Sequence, residues 1–199
     1  MVILMENKEA GDVLGSGSAP YLNRLAHRYT TATAFYGIRH PSLPNYLALT
    51  GGSTFGIKSD CTSCHTAGAN LVDQLEAARV PWRAYMEGMP RACFNGGSRG
   101  GYAKKHDPFM YYDDVRTRPA RCANVVPASQ LPADLASGLP SFVWITPDLC
   151  HDMHDCSVRT GDRYLAGLVP KLLPQLGPRG ALMVLWDEGS SDHGCCRLA

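Results

Sequence analysis

The sequence predicts an α/β fold, a three-layer sandwich on a mostly parallel central sheet. Three observations carry that expectation. Short, mainly apolar runs, such as VILM (2–5) and SFVWITP (141–147), have the character of strands buried on both faces. Segments with helical spacing of apolar residues lie between them, and alternating strands and helices imply parallel pairing through crossover helices. Polar residues collect at the carboxyl ends of the strands, where open α/β sheets bind their ligands.

The elements follow in order. VILM (2–5) is read as a buried strand ending at Glu6-Asn7. Residues 19–28 carry Tyr21, Leu22 and Leu25 at helical spacing. TTATAFYGI (30–38) is rich in β-branched and aromatic residues and is read as a second strand. PNYLALTGG then reads as a short helix, with Pro44 in its first turn and Gly51-Gly52 as its stop. Residues 53–68 are a loop. NLVDQLEAAR (70–79) is an amphipathic helix with Asn70 as cap. PWRAYME (81–87) is a strand, and 88–108 and 113–128 are irregular zones. SFVWITP (141–147) is a buried strand, 162–176 a helix, and ALMVLWDEG (181–189) a strand ending in two acids.

At 199 residues the chain reads as one domain, 1–199. Its abrupt ends suggest a partial domain cut at the C-terminus, with no signal peptide in MVILMENKE. A net charge of +1 gives no general attraction to nucleic acid or to a membrane surface, and no run is long enough to span a bilayer. The eight cysteines point to disulfides and to an extracellular or periplasmic location. Zinc is the rival at Cys61-x-x-Cys64. A bridge between Cys150 and Cys156 would stiffen the HDMHD segment that they bracket.

The strand tips VILMEN and LMVLWDEG each deliver two oxygen-bearing side chains. Glu6, Asn7, Asp187 and Glu188 together make a hard-oxygen cage for one divalent cation, of a kind the residues do not specify. Ser42, between Pro41 and the helix carrying Pro44, stands where helix N–H groups favour an anion. A serine held against a cation can attack phosphorus, and Asn45 could donate to a phosphate oxygen. The bland reading makes Ser42 only a helix cap. His106, His151 and His154 are candidates for contact with a phosphate, with Asp152 and Asp155 to orient them.

MENK, HPSLPNYLALTGG, YAKKHDPF, ITPDLCHDMHDC and LWDEGS, in this order, resemble the bacterial phosphoesterase family, which groups acid phosphatases with phospholipase C-type enzymes in the alkaline-phosphatase-like superfamily. The resemblance covers about residues 2–190. It implies an alkaline-phosphatase-like core and phosphate-ester hydrolysis, monoesters before diesters. It also implies a metal site from Glu6, Asn7, Ser42, Asp187 and Glu188, with Ser42 as the nucleophile that forms a phosphoserine. Asn45 matches the motif asparagine, and His106 and His154 the histidines around the phosphate. His40 and His151 are left outside the catalytic set. The partner expected is a small phosphate ester or a phospholipid head group, with no nucleic acid and no integral membrane segment. Related sequences continue past the Asp-Glu tip, often with a histidine there, and His193 lies near that place.

Two other classes remain. A sulfatase or phosphonate-ester hydrolase would carry C-x-P-x-R or S-x-P-x-R, and HPSLPN lacks the arginine. A non-catalytic, disulfide-stapled binding module would leave Ser42 and the acid pairs solvated.

Overall fold

The computed structural model describes residues 1–191, so His193, Cys195 and Cys196 lie outside the described residues. Five parallel strands form the sheet: β1 (Val2–Met5), β2 (Trp82–Met86), β3 (Val125–Pro127), β4 (Phe142–Thr146) and β5 (Met183–Trp186). Their order is β3-β2-β4-β1-β5. The helices are α1 (Ala10–Val13), α2 (Pro20–Arg28), α3 (Ser42–Gly51), α4 (Leu71–Ala77), α5 (Asp113–Arg116), α6 (Pro119–Cys122), α7 (Leu131–Ser137) and α8 (Val158–Leu172).

Period-two alternation divides the strands between two cores. Val2, Leu4, Ala84, Met86 and Trp144 face the layer of α3 to α6, packing on Leu43, Tyr46, Leu47, Val72, Val115 and Cys122. Ile3, Met5, Tyr85, Val143 and Ile145 face the other layer, on Val13, Leu22, Leu131, Leu165 and Val169. Both faces of β1 are therefore dry, and each of its side chains contributes about 1.5–3 kcal/mol by leaving water. The three-layer expectation holds.

Local signals also operate as read. The Asn70 side chain accepts from the Val72 N–H and starts α4. Gly52, at φ 67°, ends α3 with its N–H on the Ala48 carbonyl.

The structure corrects three segments. Residues 30–38 are not a strand: 29–36 are exposed and pair with nothing in the sheet. Their β-branched and aromatic content is a preference that needs a pairing partner, and β5 forms the sheet edge without them. The zone 113–128 is not irregular throughout, since it holds α5, α6 and the three-residue β3, too short to show a period. Helix α8 starts four residues before the expected 162, because Ser157 caps it by accepting from the Thr160 N–H.

Three disulfides close among the described residues: Cys61–Cys64, Cys93–Cys122 and Cys150–Cys156. The zinc alternative for Cys61 and Cys64 falls with the first. Cys93–Cys122 ties the segment after β2 to α6 across a separation of 29 residues. Loop-closure entropy makes this the costliest bridge to lose. Replacing Cys93 and Cys122 together by alanine should cost about 3–4 kcal/mol. In a thermal melt followed by circular dichroism, that is a fall in Tm of about 10 °C. Removing Cys61–Cys64 should cost about 2 kcal/mol, and equal losses would refute this entropic ranking.

Candidate active site

Parallel pairing brings the carboxyl ends of β4, β1 and β5 side by side, with β1 in the middle. Glu6 and Asn7 follow β1 directly, and Asp187 and Glu188 follow β5. Asn7 turns the chain at φ 44°, a left-handed conformation that asparagine tolerates. The Asp187 N–H donates to the Met5 carbonyl at 3.2 Å, which continues the ladder into the acid pair. The backbone at Gly37 lies so close that a Cβ there would stand 2.9 Å from the Asp187 carbonyl oxygen.

Ser42 opens α3 from the neighbouring layer. Pro41 precedes the helix, its bond to His40 is cis, and Pro44 occupies the first turn, where no N–H is required. Pro41 holds the cap position, and Ser42 is the first residue of the helix. Its Oγ lies 3.1 Å from Glu6 Oε2 and 3.3 Å from Glu188 Oε1, two acceptors for its single proton. The capping reading therefore does not describe this hydroxyl. Ser42 is 1% exposed, Glu6 0%, Asp187 2% and Glu188 6%, which is not the solvated set that a binding module was expected to show.

Burial raises the pKa of Glu6, Asp187 and Glu188, and the Asp187 charge adds to the effect on Glu6. At an effective dielectric of about 20, like charges about 4 Å apart repel by about 4 kcal/mol. Neighbouring donors offset part of this. The Tyr46 hydroxyl donates to Glu6 Oε1 at 2.6 Å, and His40 Nδ1 lies 2.6 Å from Glu188 Oε2. His40, left outside the catalytic set by the sequence, thus stands against a predicted metal ligand.

The donor set suits a cation. With its amide NH2 turned toward them, Asn7 donates to Glu188 Oε1 and Glu6 Oε2, each at 3.2 Å. With its amide oxygen turned toward them, Asn7 would present an oxygen 3.2 Å from each of the two carboxylates, a donor type that Mg²⁺ and Ca²⁺ take. Asp187 Oδ2 is buried without a hydrogen-bond partner among the described residues. The structure brings together the side chains that the sequence reading placed around a cation, Glu6, Asn7, Ser42, Asp187 and Glu188, and these are the residues that could hold one. A second grouping, Glu6 with His106 and His154, has ligand atoms within 4.8 Å of one another.

The histidines separate by position. His106 is 2% exposed and stacked on Tyr46. Its Nε2 lies 3.1 Å from Glu6 Oε1 and its Nδ1 lies 3.2 Å from Asp152 Oδ2, in both cases off hydrogen-bond alignment. Burial lowers its pKa, and His106 stands behind Glu6 rather than at the surface of the site. His154 is partly exposed, with Nδ1 held by Asp155 Oδ1 at 2.6 Å and Nε2 3.2 Å from Lys105 Nζ. His151 lies apart, bonded to Glu87.

The Asn45 amide is hydrogen-bonded within the protein. Its Oδ1 accepts from the N–H groups of Ile38 and Arg39, and its Nδ2 donates to the Arg39 carbonyl and to Glu188 Oε2. It clamps the approach to Ser42.

Sequence reasoning missed Tyr46, Asp60 and Lys105. Tyr46, four residues after Ser42 on one helix face, carried a signal in its spacing. Asp60 lies in a loop without periodicity and carried none.

The chain matches the Phosphoesterase family over residues 5–195. It belongs to the phosphoesterase family. The chain is 33% identical over 196 residues to the phosphatidylinositol-3-phosphatase of Mycobacterium tuberculosis, a match covering 96% of the chain and 64% of that protein. It is 32% identical to an Aspergillus fumigatus acid phosphatase over 158 residues, 75% of the chain and 35% of the relative. It is 29% identical to a phosphate-repressible acid phosphatase of Penicillium chrysogenum over 182 residues, 85% and 43% of the two lengths. The chain therefore spans less than two thirds of the length of these relatives.

Raised carboxyl pKa values set the pH response of the metal-free protein. Such groups stabilise the fold below their unfolded pKa, and that contribution is lost as pH rises through the folded value, from 3.8 to about 7 for Asp152. His106, held below its ordinary value, acts in the opposite sense below about pH 6.5. The acids outnumber it, so Tm should fall between pH 4 and 8 after treatment with a chelator. Adding Mg²⁺, Ca²⁺ or Mn²⁺ should raise Tm more at pH 8 than at pH 5, because ligands must ionise to bind. A Tm indifferent to all three ions at both pH values would refute the cage.

Proposed function

We propose that this chain hydrolyses phosphate monoesters through a covalent phosphoserine on Ser42, in the manner of an acid phosphatase. The observation that carries this reading is the Ser42 hydroxyl, buried at the head of α3 within hydrogen-bond distance of two carboxylates. The names of the fungal relatives, all acid phosphatases, support the reaction class.

A divalent cation held by Glu6, Asn7, Ser42, Asp187 and Glu188 would supply charge stabilisation and lower the pKa of the serine hydroxyl. The residues do the rest. The Ser42 proton has acceptors in place in Glu6 and Glu188. Ser42 Oγ forms a bond to phosphorus as the ester P–O bond breaks. The departing alkoxide takes a proton from protonated His154, which regains one from the water of the second step; His154 is chosen over His106 because it is partly exposed and aligned by Asp155. Water then attacks the phosphoserine, releasing inorganic phosphate and restoring the hydroxyl.

A polar cleft of about 410 Å³ opens beside Asn7, lined by Lys8, Asp12, Ser16, Ser18, Val158 and Ser190. The phosphatidylinositol-3-phosphatase relative adds a phosphorylated lipid head group to the substrates worth testing, and a phospholipase C-type diesterase is the second reading. Three disulfides support a location in an oxidising compartment outside the cytoplasm. No helix among the described residues is long and apolar enough to cross a membrane.

The test is hydrolysis of a chromogenic phosphate monoester and of a diester, at acid to neutral pH, with and without chelator. Ser42→Ala should lower kcat by at least about 10³-fold, the range for loss of a nucleophile that acts as one unit with its partners. Acid-quenched wild type should carry phosphate on Ser42 by mass spectrometry. Turnover that survives in Ser42→Ala would refute the assignment, and faster diester cleavage would favour the second reading.

A further inference from the structure

A phosphate dianion approaching Ser42 meets Glu6, Asp187 and Glu188, so the protein needs a fixed positive group on the opposite side. Two lysines stand near the site. Lys8 spends its ammonium on the carbonyls of Asn7 and Met153. Lys105 is different: its Nζ lies 3.1 Å from Asp60 Oδ2 and 3.2 Å from His154 Nε2. Its charge is felt at both Glu6 and His106.

Asp60 connects this lysine to the nucleophile. Its other oxygen, Oδ1, accepts from the Leu43 N–H at 3.0 Å, the peptide group directly after Ser42. One carboxylate thus bridges a helix N–H beside the nucleophile and the Lys105 ammonium. The loop that carries Asp60 is fixed where it stands. Cys61–Cys64 closes it, and Lys104 Nζ donates to the Thr62 carbonyl at 2.7 Å. The adjacent lysines 104 and 105 therefore hold the loop by two bonds, and Lys105 alone turns toward the histidine of the site.

We propose that Lys105 is a phosphate-binding residue of the Ser42 site and that Asp60 is the positioning residue that aims it. This rests on the phosphoesterase reading above. An ammonium has three donors. Among the described residues Asp60 and His154 take two, which leaves the third for a non-bridging phosphoryl oxygen. The contact is the same in the ester and in inorganic phosphate, so it acts on binding more than on the chemical step.

Inorganic phosphate is the probe, titrated calorimetrically into wild type, Lys105→Met, Lys105→Arg, Asp60→Ala and the Lys105→Met/Asp60→Ala double variant. KM and kcat for the chromogenic monoester are measured alongside. Lys105→Met should weaken phosphate binding and raise KM by about tenfold to a hundredfold, the worth of one charge-assisted hydrogen bond, with a smaller change in kcat. Lys105→Arg should restore most of the loss. Asp60→Ala should weaken binding in the wild-type background but by less than about twofold once Lys105 is gone, because it acts through that residue. Should Lys105→Met fail to fold by circular dichroism, Lys105→Gln takes its place.

Phosphate affinity within about twofold of wild type in the lysine variants overturns the proposal. So does a wild type that binds no phosphate, or an Asp60→Ala cost that is equal in both backgrounds. Ser42→Ala separates the two readings. If it still turns over, the nucleophile assignment fails while the Lys105 result stands on binding alone.

Discussion

Crowded negative charge governs this structure. Parallel strands have all their carboxyl ends on one edge, and here β1 and β5 each end in groups that bring a carboxylate out of water. The sheet itself contributes nothing to neutralise them. Each neighbour of the site can be understood as a response to that charge. Tyr46 donates to Glu6, His40 stands against Glu188, Asn45 bridges Glu188 to the chain before α3, and Ser42 lies between the two acids. Without such partners the carboxylates would either stay protonated or push the strand tips apart.

The same charge explains why the site draws on both helical layers. Ser42 and Tyr46 come from α3 on one side of the sheet. The HDMHD loop leads into α8 on the other. The two meet at Glu6, whose side chain accepts from Ser42 and Tyr46 and whose N–H donates to the Asp152 carbonyl at 2.9 Å. That loop is a strained object. Met153 sits buried at φ 82°, an unusual conformation for a residue with a side chain. Cys150–Cys156 and the bond from Lys8 to the Met153 carbonyl hold it in place.

Much of this was legible in the chain. The apolar runs of β1 and β4 identify themselves, because a strand buried on both faces needs no alternation to be recognised, and β5 shares the apolar run although it stands half-exposed at the sheet edge. The acid pair at the tip of β5 and Glu6 at the tip of β1 drew attention for a related reason, since an acid next to an apolar strand needs an explanation. Other parts were not legible. TTATAFYGI has strand composition but no partner in the sheet, and pairing is a property of two segments. The internal partners of Asn45 were not legible either, because a motif gives identity and not direction. Its amide turned out to be committed to backbone and to Glu188. Asp60 and Lys105 stand 45 residues apart in sequence and meet only through the fold.

Gly37 shows how narrow the margin of this arrangement is. It has no functional group, and it belongs to the segment the sequence reading took for a strand. Yet it approaches the Asp187 carbonyl so closely that one added carbon would have to displace the acid pair or the chain leading to Ser42. Two related chains could share every acid, histidine and serine of the site and still differ in competence if one bore a methyl group there. A survey of relatives by their reactive residues alone would score both as intact. The empty position at 37 is thus as diagnostic as the charges that surround it.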